Sequence, residues 1–129
     1  MPVAHYLGRP FIHGVYDCYS LIRDYYRKEH AITFSPYARA WGWWDETPGA
    51  DLYSRNFANE GFSSVSFEEL RPGDVVLGTV LSSNVVNHGG VYLGNSLFMH
   101  HLVGRESKQS PIGQWKKLIR HYLRHESLK

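Results

Sequence analysis

The sequence is short of cysteine, of long apolar runs and of net charge. Cys18 is the one cysteine among 129 residues, so no disulfide can form within the chain, and the thiol is either a buried apolar group or a reactive one. No apolar run approaches the roughly 20 residues of a transmembrane helix, so we expect no membrane span. The formal charge of +2 is too small to predict nucleic-acid binding. Residues 1–10 lack the pattern of a secretory signal, so we expect no signal peptide.

The remaining composition is that of an ordinary globular protein. Hydrophobic residues make up 43% and charged residues 20% of the chain, which predicts neither disorder nor a membrane protein. At this length the default is one compact domain, covering residues 1–129. Residues 34–63 combine prolines and glycines with aromatic clusters, including the run of Trp41 to Trp44. We expect this segment to be an ordered loop region that packs through its aromatic side chains, and not a flexible linker.

An amphipathic helix is predicted to begin at Cys18. Apolar or aromatic residues recur there with the spacing i, i+3, i+4, i+7, i+8, at Cys18, Leu21, Ile22, Tyr25 and Tyr26. Asp17 directly precedes this stripe as a credible N-cap. Cys18 should therefore lie in the first turn, beside backbone N–H groups that have no partner within the helix.

From Asp74 onward the pattern changes to short runs rich in β-branched and aromatic residues. Four strands are predicted, in residues 74–80, 88–94, 96–102 and 118–123. A helix followed by a run of strands indicates an α+β fold with a small antiparallel sheet, and it argues against an alternating parallel fold. Gly94-Asn95 is a strong hairpin signal, because both residues tolerate positive φ.

Cys18 and His88 together suggest nucleophilic chemistry. A cysteine attacks an acyl carbon as its thiolate, and both a helix N-terminus and an imidazolium lower the thiol pKa. His88 opens a predicted strand, and Gly89 and Gly90 behind it would let another segment approach closely. Zinc is the competing interpretation, since Cys18, His88 and His100 could ligate it, but no closely spaced ligand pair supports a metal site. We expect no metal and no cofactor.

Three segments of the chain resemble the signature blocks of the NlpC/P60 cell-wall peptidases. They are GRPFIHGVYDCYSLI from Gly8, LRPGDVVL from Leu70 and NHGGVYLGNSLFMHH from Asn87. The segment WGWWDETPGADLYSRNFANEGFSSV between the first two resembles the insert of tail-assembly proteins of long-tailed phages. In that subgroup the cysteine block reads D-C-Y, as it does at Asp17, Cys18 and Tyr19 here.

The resemblance implies a papain-like fold in which the helix presenting Cys18 packs on the antiparallel sheet. It implies that Cys18 is the nucleophile, that His88 is the general base and that His100 orients His88. Asp17, Tyr19 and Phe11 are implied substrate contacts, and Phe11 stands where many members have a tyrosine that helps to bind the oxyanion. The implied substrate is a peptidoglycan stem peptide, cleaved between D-glutamate and the diamino acid. The implied location is the virion tail, assembled in the host cytoplasm beside other tail-tip proteins and acting at the cell wall.

A second hypothesis is a structural tail-assembly protein whose peptidase site is vestigial or used only transiently. The aromatic insert would then be an interaction surface, since Trp and Tyr are enriched at interface anchors. A local mini-core explains the same residues equally well.

The composition of the turn and the family spacing predict different partners for His88, and the two candidates are adjacent in the sequence. A plain two-residue turn at Gly94-Asn95 would place His88 opposite His101. The family spacing of twelve positions selects His100 and requires a three-residue loop or a β-bulge, which shifts the register by one and reverses the facing. We predict the bulged hairpin and His100, with His101 on the opposite face.

Overall fold

The computed structural model describes residues 3–12, 17–34, 52–80 and 88–128. Its architecture confirms the predicted α+β class, because a helix packs on a six-stranded antiparallel sheet. The helices are α1 (Cys18–His30) and α2 (Leu52–Asn59). The strands are β1 (Phe62–Ser64), β2 (Val75–Gly78), β3 (His88–Gly94), β4 (Leu97–His100), β5 (Lys108–Pro111) and β6 (Ile119–His125).

Helix α1 begins and is buried as its residue pattern predicts. The Asp17 carboxylate accepts a 2.9 Å hydrogen bond from the Ser20 N–H, which satisfies one of the N–H groups that a helix start leaves unpaired. All five residues of the predicted stripe are buried. The helix ends where Ala31 adopts φ 55° and the Ile32 N–H donates to the Tyr26 carbonyl at 3.1 Å.

The strands lie in the order β1-β6-β2-β3-β4-β5, and every neighbouring pair is antiparallel. The four predicted strands correspond to β2, β3, β4 and β6. The pattern missed β1 and β5, the two edge strands of the sheet. Both are short and mostly exposed, so neither carries the apolar alternation by which a half-buried strand is recognised.

The sheet buries apolar side chains on both faces. One face packs against α1 and includes Val75, Leu77, Val91 and Met99. The other carries a smaller cluster around Val76, Phe98 and Ile112, with Trp115 packed against it. Because side chains alternate along a strand, this division assigns every residue of β3 and β4 to one face or the other.

Glycines at the start of β3 allow the close approach that the sequence predicts. A Cβ at Gly90 would lie 2.4 Å from the Met99 carbonyl oxygen of β4, and one at Gly89 would lie 3.1 Å from Ile22 Cδ1 of α1. Any side chain at Gly90 would push β3 away from β4. The two glycines therefore let the start of β3 lie close to both β4 and α1.

The β3–β4 hairpin contains the predicted β-bulge. Tyr92 pairs with Phe98 and Gly90 with His100, but the register shifts before Gly94 pairs with Leu97. The turn lies one residue later than Gly94-Asn95, since Asn95 and Ser96 have φ 53° and 62° while Gly94 has φ 90°. The plain two-residue turn at Gly94-Asn95 is therefore wrong, and the bulged register is confirmed.

The described ends of the aromatic segment belong to the core. Phe34, Phe57 and Phe62 are each buried, and their ring centroids lie 5.1–6.3 Å apart in mutual edge contacts. These three residues fit the mini-core interpretation. Trp41 to Trp44 lie outside the described residues.

A buried ion pair anchors the start of β2. The Arg124 side chain of β6 donates to both carboxylate oxygens of Asp74, at 2.9 and 2.8 Å, and to the Glu69 carbonyl at 2.7 Å. Asp74 is fully buried and also accepts from the Arg71 N–H at 2.9 Å. The aspartate of the Pro72-Gly73-Asp74 block is therefore a structural residue that ties the turn before β2 to β6.

Candidate active site

Cys18 is the first residue of α1, and its side chain is 5% exposed. Asp17 caps the helix in an extended conformation, φ −133° and ψ −174°. The helix dipole places partial positive charge at this end. An anion that forms at or beside Cys18 is therefore stabilised by the backbone.

The start of α1 and the start of β3 lie at the same end of the sheet. Near the far end of α1, the Tyr26 hydroxyl donates to the Gly73 carbonyl, and the Gly73 N–H donates to the carbonyl of Tyr92 in β3 at 2.8 Å. One helical turn closer to the start of α1, Ile22 packs on Gly89. Moving towards the start of α1 therefore also moves towards the start of β3. Cys18 lies one more helical turn in this direction, beyond Gly89 and towards the end of β3 that begins with His88.

His88, His100 and Ser110 form a line of buried hydrogen bonds across three strands. His88 Nε2 lies 2.9 Å from His100 Nδ1, and His100 Nε2 lies 2.8 Å from Ser110 Oγ. All three residues are at most 7% exposed. The line leaves Nδ1 as the nitrogen of His88 that is not engaged by His100.

Aromatic rings enclose this line on the face of the sheet that points away from α1. Phe98 stacks on His100 with ring centroids 4.3 Å apart. Trp115 lies 4.8 Å from the His100 ring and 5.6 Å from the His88 ring. These neighbours exclude water and lower the local dielectric, which strengthens the hydrogen bonds along the line.

Burial keeps both histidines of the line neutral. Desolvation, joined by the nearby His100 and His101 rings, lowers the pKa of His88 to about 3. Desolvation, followed by the charge of Lys108 and the His101 ring, lowers the pKa of His100 to about 4. A neutral imidazole is the form that accepts a proton, so the resting site contains a base. An imidazolium at His88, which would lower the thiol pKa, is therefore disfavoured in the resting site.

His101 directly follows β4 and lies on the opposite face of the sheet from His100, as the bulged register requires. It is 1% exposed, and its ring meets the Phe11 ring edge-on at 5.5 Å between centroids. Neither ring nitrogen has a hydrogen-bond partner in the described part of the chain. Burial is the main influence on the pKa of His101 and lowers it. His101 is therefore separated from the hydrogen-bonded line.

The three predicted substrate contacts occupy different environments. Asp17 is 5% exposed and holds the start of α1. Tyr19 is 2% exposed and packs edge-on against Phe57, with ring centroids 5.8 Å apart. Phe11 is half-buried beside His101. Of the three, Phe11 is the side chain that solvent reaches most readily.

Sequence reasoning missed Ser110 and Trp115. Ser110 belongs to an edge strand whose residues Lys108–Pro111 are polar or exposed, so no pattern marks it. Trp115 lies in a short 3-10 helix, Ile112–Trp115. The contact between Phe98 and His100 could have been predicted, because Phe98 lies two residues before His100 in the same strand and must lie on the same face of the sheet.

The described residues contain no group of three or more His, Cys, Asp or Glu side chains that could hold a metal ion. Separately, no helix within the described ranges is both long and apolar enough to cross a membrane.

The chain belongs to the NlpC/P60 family, whose model matches residues 8–124. This confirms the predicted family. The fold agrees: the crystal structure of the NlpC/P60 domain of the peptidoglycan hydrolase SagA superimposes with a TM-score of 0.64, at 16% identity, over 95% of this chain and 92% of that one.

Two curated relatives are both tail tip assembly proteins, the subgroup that the aromatic segment predicts. The chain is 34% identical to tail tip assembly protein K of Escherichia phage lambda over 126 residues, which is 97% of this chain and 61% of the relative. It is 29% identical to tail tip assembly protein K of Escherichia phage N15 over 128 residues, covering 95% of this chain and 50% of the relative. The chain thus spans 61% and 50% of the lengths of these two relatives.

Proposed function

We propose that this chain is a cysteine peptidase that hydrolyses an amide bond in peptidoglycan stem peptides, between D-glutamate and the diamino acid. The observation that carries the proposal is the buried line from His88 through His100 to Ser110. It lies at the end of the sheet where α1 begins with Cys18. Since His88 is the first residue of β3, the thiol is proposed to approach its ring around this end of the sheet. Membership of the NlpC/P60 family supports the same reaction.

The proposed roles follow from the direction of the hydrogen bonds. If His88 donates its Nε2–H to His100 Nδ1, its own Nδ1 carries a lone pair and accepts the proton of the Cys18 thiol. The sulfur attacks the amide carbon, and His88 returns the proton to the leaving amine. A water molecule, deprotonated by the same nitrogen, then hydrolyses the thioester and releases the free thiol.

The oxyanion formed in each step needs donors that are in place beforehand. The proposed donor is the Cys18 backbone N–H, since it belongs to the first turn of α1, where the helix dipole concentrates partial positive charge. Phe11 has no hydroxyl to contribute, so the site differs here from family members that carry a tyrosine.

Of the proposed substrate contacts, Phe11 is the one expected to touch the peptide directly. Asp17 acts by capping α1 and so fixing the position of the nucleophile. Tyr19 is buried against Phe57, so its contribution comes through the shape of the core beneath the site.

The proposed location is the tip of a phage tail, in contact with other tail-tip proteins and acting at the bacterial cell wall. The names of the two curated relatives support this location. Residues 1–129 would form one peptidase domain there, assembled in the host cytoplasm and delivered to the wall from outside.

The test is incubation of the protein with purified sacculi, followed by mass spectrometry of the released fragments. We expect new N-termini at the diamino acid, and none from the Cys18→Ser variant. Cleavage that survives in Cys18→Ser, or fragments cut in the glycan strand, would contradict the proposal.

The alternative is a structural tail-assembly protein with an unused site, which the word assembly in both relatives' names favours. It predicts that the protein is retained stoichiometrically in purified virions and releases no muropeptide. The sacculus experiment separates the two functions, because only the peptidase produces fragments that depend on Cys18.

A further inference from the structure

Ser110 is the one inward-facing residue of an otherwise exposed edge strand. It is 7% exposed, whereas Lys108, Gln109 and Pro111 of the same strand are exposed. It pairs with Phe98 of β4, so its side chain shares a face with the His100 ring. Its Oγ lies 2.8 Å from His100 Nε2. A hydroxyl here, in a position that packing alone would fill with an apolar group, calls for an explanation.

We propose that Ser110 is a positioning residue that fixes the proton of His100 on Nε2 and, through it, the proton of His88 on Nε2. This inference rests on the proposed function for its catalytic meaning, but the proton positions can be measured independently. No sequence pattern identified Ser110, and it acts through the two histidines without contacting the substrate.

The position of the proton on His100 determines the position of the proton on His88. A neutral imidazole carries one N–H, and the partner of one nitrogen decides which nitrogen holds it. A serine hydroxyl can donate or accept; if Ser110 Oγ donated to His100 Nε2, His100 would donate to His88 and leave His88 protonated on Nδ1, where it could not accept the Cys18 proton. We therefore assign Ser110 Oγ as the acceptor from His100 Nε2, which leaves the Nδ1 of His100 as a bare acceptor. His88 then donates from Nε2 at 2.9 Å and keeps its own Nδ1 bare as the base towards Cys18.

The other neighbours of His100 cannot make this selection. Phe98 stacks on the ring face and Trp115 meets it edge-on, and neither contact pairs a hydrogen-bonding atom with Nε2. Lys108 lies opposite His100 in the β4–β5 register, and its positive charge favours the neutral ring. Ser110 Oγ is thus the hydrogen-bonding group found at His100 Nε2 within the described residues.

The decisive measurement is the side-chain proton–nitrogen NMR correlation spectrum of ¹⁵N-histidine-labelled protein. Signals are assigned with the variants His88→Gln and His100→Gln. We expect His88 and His100 of the unmodified protein each to show a protonated Nε2 and a bare Nδ1. In Ser110→Ala, His100 should become a mixture of tautomers, and Ser110→Thr, which keeps a hydroxyl, should restore the original pattern.

Ser127→Ala is the matched control, since Ser127 Oγ lies 2.8 Å from His125 Nδ1 in a serine–histidine pair remote from the site. It should leave the His88 and His100 signals unchanged. A protonated Nδ1 on His100 in the unmodified protein would overturn the inference without any variant. An unaltered His100 tautomer in a folded Ser110→Ala protein would overturn it as well.

Kinetics supply the second readout. On muropeptide, Ser110→Ala should lower kcat about tenfold, as expected when one orienting hydrogen bond is lost, with KM nearly unchanged. Ser110→Thr should recover most of the loss. An unmodified protein that shows the expected tautomers and cleaves nothing would refute the proposed function and leave the proton assignment supported.

Discussion

The buried pair of Arg124 and Asp74 offers the sharpest test of how the fold is held together. Arg124→Met keeps the aliphatic length of the side chain and removes the guanidinium that makes three hydrogen bonds of 2.7–2.9 Å. The Asp74 carboxylate, 0% exposed, would keep the Arg71 N–H as a partner and lose its counter-charge. Removing one partner of a buried pair costs about 3–5 kcal/mol, a large part of the roughly 5–15 kcal/mol that stabilises a typical domain.

Urea unfolding followed by circular dichroism at pH 7 measures this cost, together with the variant Asp74→Asn and the double variant. The double variant should be more stable than Arg124→Met by at least about 1 kcal/mol, because it no longer buries an uncompensated charge.

The control is Arg27→Met, which removes an exposed pair with Asp24 at 3.1 Å. Its cost should stay below about 0.5 kcal/mol, because surface pairs contribute little. A cost for Arg124→Met below about 1 kcal/mol, or one equal to that of Arg27→Met, would refute the reasoning.

Four further measurements test the site. On muropeptide, His100→Ala should lose far more kcat than His101→Ala, because His100 alone of the two bonds to His88; the reverse ranking would assign the role to His101. The free energy of unfolding should fall as the pH drops below about 6.5, the pKa of a histidine in the unfolded chain. In the folded protein the pKa of His88 lies at about 3 and that of His100 at about 4, so the unfolded chain binds these protons at a higher pH than the folded one. At pH 5 this linkage amounts to about 2 kcal/mol per histidine, and a midpoint in urea that does not change between pH 7 and pH 5 would contradict it. Cys18 should react with iodoacetamide below the pKa of a free thiol, because it lies at a helix start; a thiol that reacts only after unfolding would count against a thiol hydrolase. EDTA should change neither activity nor Tm; a loss of either that zinc restores would also count against a thiol hydrolase.

The residue pattern by itself determined the parts of this protein that depend on neighbours close in the chain. Cys18, Leu21, Ile22, Tyr25 and Tyr26 recur with the helical period, and Asp17 caps the helix three residues before its N–H partner. The strands carrying His88 and His100 follow from β-rich runs, and the glycines after His88 predicted the close packing that is found there. These features are local, because a cap, a helical face and a strand face are each set by a few consecutive residues.

Reasoning from residues close in the chain could not decide between His100 and His101. Both Gly94 and Asn95 tolerate positive φ, so the composition of the turn allows more than one register. A bulge of one residue reverses which side chains face the site, and it was the family spacing that favoured His100. The paired strands settled the geometry by placing His100 Nδ1 against His88 Nε2.

Only the tertiary structure decided which distant groups complete the site and the core. Ser110 reaches His100 because β5 pairs with β4, and Arg124 reaches Asp74 across 50 positions of the chain because β6 pairs with β2. Burial likewise decides that His88 is neutral, since the rings of Trp115 and His100 that exclude water come from other elements. Strand pairing between remote segments and the exclusion of solvent belong to the folded chain as a whole, so no short stretch of sequence encodes them.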